Sequence, residues 1–66
     1  MDEKPLTLTA RAAARYVGVE YHTLLGWTRL EKDPLPLYRA KGQTKNYRIL
    51  RKELEEWIGR NFVRVN

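Results

Sequence analysis

The sequence predicts a small α+β fold of three helices and a two-stranded β-hairpin, and three observations carry that expectation. Apolar residues recur at helical spacing in three stretches, around residues 10–17, 20–30 and 50–58. Between the second and third, "YRAKGQTKNYRI" alternates around a glycine as two short strands do. The chain has 66 residues and no cysteine, so it buries only about 60% of its unfolded surface and must hold by packing alone. These limits predict one domain over residues 1–66, with a core from about 8 to 58 and a tail at 60–66.

Thr9 is a good N-cap, and after it Ala10, Ala13, Ala14 and Val17 fall at i, i+3, i+4 and i+7, one face of a helix that Gly18 stops. That face is almost all alanine, so a partner helix can approach closely. Glu20 opens a second helix, in which Leu24 and Trp27 share a face that Leu30 extends before "EKDPLP" ends the run. Only Gly18 and Val19 separate the two patterns. Helices joined by so tight a turn must cross steeply, which is helix-turn-helix geometry.

In the hairpin, alternation puts Tyr38 and Ala40 on one side of the first strand and Tyr47 and Ile49 on one side of the second. Arg39, Lys41, Asn46 and Arg48 are left on the other side. Both tyrosines are therefore expected in the core with Trp27 and Trp57. Gly42 sits near the tip, where a left-handed residue is often required. The third helix, "RKELEEWIG", turns Leu50, Leu54, Trp57 and Ile58 inward and its acids outward, with Gly59 in the C-terminal capping position. It lacks a good N-cap, since Leu50 stands where Ser or Asp is expected. The tail "RNFVRV" reads either as a further strand on the hairpin or as a frayed end.

The formal charge of +5 comes from 13 Lys and Arg against 8 Asp and Glu, and its distribution is uneven. Residues 34–52 contain no acid while Arg39, Lys41, Lys45, Arg48, Arg51 and Lys52 accumulate. A one-signed field of this extent favours polyanions, with nucleic acid ahead of acidic membrane and acidic protein. No apolar run approaches the ~20 residues that span a bilayer, and the acidic start lacks the order of a signal peptide, so a cytoplasmic protein is expected. A single histidine and no cysteine build no metal site, and no nucleophile with a base, paired carboxylates or phosphate loop can be assembled. Neither a cofactor nor an enzymatic activity is expected.

The stretch 13–27 resembles the helix-turn-helix signature of bacterial and phage DNA-binding proteins. Ala14 and Gly18 stand four apart, as its small residue and glycine do, among the apolar Ala13, Val17, Val19, Leu24 and Trp27. The wider order, "LTARAAARYVGV", a helix ending in Trp27, "LPLYR", a basic hairpin, "NYRI" and "KELEEWI", resembles the small winged helix-turn-helix domains related to the MerR family, particularly the excisionases or recombination directionality factors. The resemblance runs from about residue 8 to 58. Members often carry Glu where this chain has Ala12 and Ser where it has Glu20.

The resemblance implies double-stranded DNA as partner, with the second helix in the major groove and the hairpin as a wing on the backbone or in the minor groove. Its recognition-helix residues would be Glu20, Tyr21, His22, Thr23, Leu25, Gly26 and Arg29. Its wing residues would be Arg39, Lys41, Gln43, Thr44, Lys45, Asn46 and Arg48, and Arg11 and Arg15 would reach backbone phosphates. Glu20 reads as a cap ahead of an acceptor for a cytosine amino group, His22 as outward-facing, and Gly26 either as a point of close backbone approach or as a tolerated surface glycine. The family role is DNA bending that assists a phage or mobile-element integrase, which adds integrase and neighbouring copies of the chain as partners and a bacterial or phage-encoded, nucleoid-associated setting. Two other roles fit the residues: a small transcriptional regulator, or a protein-interaction adaptor that has lost DNA binding.

Overall fold

The computed structural model describes residues 5–66, and the acidic opening at 1–4 lies outside them. The order of elements is β1 (Thr7–Leu8), α1 (Ala10–Val17), α2 (Tyr21–Trp27), β2 (Ile49–Leu50) and α3 (Arg51–Asn61). The result is a small α+β arrangement of three helices with a two-stranded antiparallel sheet.

Local chemistry builds the first half as the sequence predicts. Thr9 caps α1 through its hydroxyl, which accepts from the Ala12 N–H at 3.1 Å. At the other end Gly18 takes φ 91°, a left-handed value that disfavours any side chain, and the amides of Gly18 and Val19 both donate to the Ala14 carbonyl at 2.8 and 2.9 Å. With α1 closed so tightly, α2 starts two residues later, and Glu20 caps it by backbone alone. Ala13 and Ala14 are buried against Leu24, as the alanine face anticipates. Among the described residues the core is Leu8, Ala13, Ala14, Leu24, Leu35, Ile49, Leu54 and Trp57, with Trp27 half-buried and its ring 4.9 Å from that of Trp57. Leu35 is an addition the helical periodicity does not reveal. It sits in the loop after α2, held there by its N–H donating to the Trp27 carbonyl at 2.9 Å. Leu30, expected to extend the apolar face of α2, instead lies beyond the helix and is exposed.

The sheet differs from the expected hairpin. β2 pairs with β1, Thr7 opposite Leu50 and Leu8 opposite Ile49, and not with the expected first arm of the hairpin at residues 38–41. Between the two arms of the hairpin the pairing found is one bridge, Tyr38 opposite Arg48, closed by two hydrogen bonds of 2.7 Å. Residues 48–50 thus lie between two partners, one on each edge. The ladder stops because two left-handed residues, Gly42 at φ 82° and Asn46 at φ 63°, interrupt the extended run.

The same interruption corrects the expected faces. Directly opposed residues project to one side of a sheet, so Tyr38 shares its side with Arg48 and not with Ile49. Asn46 turns Tyr47 out of alternation as well. Tyr38 and Tyr47 are 44% and 47% exposed, and of the four positions assigned inward only Ile49 is buried.

α3 also runs past its expected end. Gly59 is an interior residue, and the helix closes two residues later, with the Phe62 N–H donating to the Ile58 carbonyl at 3.0 Å. A long-range clasp overrides the glycine. Asp33 accepts from Arg60 Nε and Nη2, both at 2.9 Å, and from Asn61 Nδ2 at 3.0 Å, while its carbonyl accepts from Trp57 Nε1 at 2.7 Å. Phe62 then meets Trp27 edge-on at 5.7 Å. The start of the tail is therefore docked, residues 62–66 take no regular structure, and no further strand joins the sheet there.

Two measurements test this packing. Ala13→Leu forces a larger side chain between α1 and α2 and is expected to cost about 1–3 kcal/mol by urea denaturation. The bonds from Arg60 first and Asn61 second hold the Asp33 carboxyl below the usual carboxylate range. A depressed folded value means that the clasp stabilises fully above the ordinary value and is lost as pH falls through the folded one. Thermal melts of wild type and Asp33→Asn are thus expected to differ by a constant amount down to about pH 4 and to converge below it.

Candidate nucleic-acid interface

Turn chemistry and charge shape the segment between α2 and β2. The Gln43 N–H donates to the Ala40 carbonyl at 3.0 Å, and Gly42 in the left-handed region at the third position gives a turn of type II form. Arg39, Lys41, Gln43, Thr44, Lys45, Asn46 and Arg48 are all exposed on this loop. Its base is tied to α3 by the Tyr38 hydroxyl, which donates to Glu53 Oε2 at 3.1 Å. That bond, foremost, and then loss of hydration and the Glu53 charge raise the Tyr38 phenol above its ordinary range.

Ion pairs fall elsewhere. Arg51 pairs with Glu55 at 3.2 Å and Arg60 with Asp33 at 2.9 Å, both involving α3. Among the described residues, Arg39, Lys41, Lys45 and Arg48 make no ion pair. Four cations on one loop thus stay unpaired among the described residues, and their mutual repulsion is relieved by solvent, salt or an anionic partner.

On α2, His22, Thr23 and Gly26 are exposed, Glu20 is exposed at the cap, and Tyr21 and Leu25 are half-buried. Arg29, assigned to this helix from sequence, stands outside it. α2 ends at Trp27, and Arg29 lies exposed in the following turn with its N–H on the Gly26 carbonyl at 3.1 Å. Among the described residues no neighbour would meet a methyl group at Gly26, so their packing does not demand a glycine there.

The structure brings the two candidate elements to a common groove of about 350 Å³, lined by Thr9, Ala10 and Arg11 at the start of α1, Tyr21 on α2, and Asn46 and Tyr47 on the loop. The Arg11 guanidinium lies 4.1 Å above the centre of the Tyr21 ring, and that ring is 5.4 Å from His22 at a tilt of 60°. Arg15 is exposed on α1 and does not line this groove. Sequence reading missed Thr9, Ala10 and Tyr47 as lining residues. Only Tyr47 carried a signal, its position between Asn46 and Arg48 in the basic run.

A second recess of about 260 Å³ between α1 and α3 is lined by Tyr16, Val17, Leu54, Glu55 and Ile58, with the Tyr16 hydroxyl donating to Glu55. Its apolar walls do not suit an anion. Among the described residues no group of three or more His, Asp or Glu side chains is placed to hold a metal ion, and no helix is long and apolar enough to cross a membrane. Compared with protein-family models, with curated proteins and with solved structures, the chain matches none.

The open space at Gly26 has a measurable consequence. Gly26→Ala is expected to raise stability by up to about 1 kcal/mol, because alanine is the better helix former and meets nothing. Chemical denaturation of the two proteins checks it, and a loss of stability would mean that the methyl is not free.

Proposed function

We propose that the chain binds double-stranded DNA, with the exposed side of α2 in the major groove and residues 38–48 as a wing along the backbone or in the adjacent minor groove. The observation that carries this reading is the loop bearing Arg39, Lys41, Lys45 and Arg48, exposed and without ion pairs among the described residues, across a groove from the first turn of α2. A helix of seven residues spans ~10 Å, so its exposed side fits a groove ~12 Å wide. Tyr21, His22 and Thr23 then offer hydroxyl and imidazole groups to base edges. Arg15 and Arg29, exposed on either side of α2 in sequence, would join the wing cations as phosphate contacts.

The role we propose for it is that of an excisionase-type architectural factor of the MerR-like winged class, acting with an integrase or with neighbouring copies. One such domain buries only ~600–1,000 Å² on DNA and binds modestly alone. A second reading, a protein-interaction adaptor, draws on one observation: from the cap Glu20 to the end of α2 at Trp27 there is no Lys or Arg.

Titration of mixed-sequence duplex DNA across a salt series separates the two. DNA binding is expected to weaken with salt at a log-log slope near −0.9 per phosphate contacted, and Arg39→Ala with Lys41→Ala is expected to flatten the slope by about 0.9 for each phosphate no longer neutralised. A slope that does not move in the double variant removes the wing's role. No binding even at low salt leaves the adaptor.

A further inference from the structure

Arg11 stands apart from the other cations. Like those of the loop it is exposed, but its guanidinium is laid over the Tyr21 ring at 4.1 Å and forms part of the groove wall. A planar guanidinium stacks on an aromatic face through both charge and shape, which an ammonium does not reproduce. The contact joins α1 to α2 at the first turn of α2. That turn has little else to fix it, since Glu20 gives no side-chain cap bond.

We infer that Arg11 is a positioning residue for Tyr21, and that Tyr21, so held, is the side chain through which the chain discriminates among duplex sequences. The inference rests on the DNA-binding reading above. Tyr21 is the residue of α2 that faces the wing across the groove, opposite Asn46 and Tyr47, where an edge of the duplex would enter. Its ring is packed by Arg11 from one helix and by its neighbour His22, 5.4 Å away, on its own. An unpacked tyrosine on a helix surface samples several rotamers, and each would offer its hydroxyl to a different place. Confinement between two side chains removes that freedom before binding, so the hydroxyl meets the base edges from one direction. The guanidinium thus acts on specificity through the ring and contributes no phosphate contact of its own.

The two roles for Arg11 give opposite results. Wild-type protein is first used to enrich a preferred duplex from a random-sequence pool. Its affinity for that duplex and for the starting pool is then measured by anisotropy over a salt series, alongside Arg11→Lys, Arg11→Ala, Tyr21→Ala and the Arg11→Ala/Tyr21→Ala pair, with thermal melts to check folding. As a positioning residue, Arg11 replaced by Lys or Ala lowers the ratio of the two affinities by at least about fivefold and leaves the salt slope unchanged. Tyr21→Ala loses the same ratio, and adding Arg11→Ala to it loses no more. A slope flattened by about 0.9 in Arg11→Ala, with the ratio kept in Arg11→Lys, would overturn the inference in favour of a phosphate contact. Wild type that binds duplexes without preference overturns it too, and leaves the DNA-binding reading standing. No salt-dependent binding by wild type overturns both.

Discussion

The spacing between α1 and α2 is set by two buried alanines, and the placement of the candidate site depends on that spacing. Ala13 and Ala14 offer no more than a methyl group each to Leu24, so the helices meet almost backbone to side chain. Ala14 also supplies the carbonyl that receives both amides of the Gly18–Val19 turn. Ala14 therefore shares in setting the separation of the helices and also marks the point at which the chain reverses. Because interiors tolerate little change of volume, the crossing is rigid, and Arg11 on one helix is brought within stacking distance of Tyr21 on the other. A looser α1–α2 contact would leave the groove without a defined wall.

A second constraint acts from the opposite end of the chain. Asp33, in a left-handed conformation at φ 48°, takes bonds from Trp57, Arg60 and Asn61 and so pins the loop after α2 to the last turn of α3. Leu35 follows it into the core. The stem of the basic loop is thereby anchored on one side by a buried leucine and on the other by β2, and between them the Tyr38–Glu53 bond and one bridge set its direction. The ion pairs gather on α3, and the four loop cations remain unpaired among the described residues. Surface pairs contribute little to stability, about 0–1 kcal/mol each. Their location matters more for the field they leave: neutralised at α3, positive along the loop.

The features legible in the sequence were those decided locally. Thr9, the alanine spacing and Gly18 act within one or two helical turns, and they appear in the structure as their chemistry requires. The loop cations were legible as well, since a charged side chain needs only solvent to be placed correctly. What failed was decided at a distance. Gly59 carries the local mark of a helix end, yet Asp33, 27 residues before Arg60, holds the helix for another two residues. The faces of Tyr38 and Tyr47 followed from assuming an unbroken extended run, which the left-handed Asn46 interrupts. β1 is two residues long and too short for any period to register. The groove belongs to the same class, for it exists only where three separate segments meet. Its Arg11–Tyr21 contact is visible in no single window of the chain.

On the proposed reading, affinity and specificity reside on different elements. The commonest base-specific contact is an Arg or Lys reaching a guanine edge, and α2 carries neither. Its outward and half-buried residues offer two hydroxyls, an imidazole, a leucine and a glycine, groups that discriminate by position more than by charge. The loop is the reverse, rich in cations whose attraction to phosphate is insensitive to sequence except through the width of the groove they enter. Salt would then weaken binding by acting on the loop while leaving the contribution of α2 nearly constant. Discrimination between sites would survive conditions that lower affinity. A small domain gains from that separation, because rigid placement of one tyrosine requires only a small packing contact, whereas a second set of charges on α2 would add to the repulsion among loop cations that no described residue pairs.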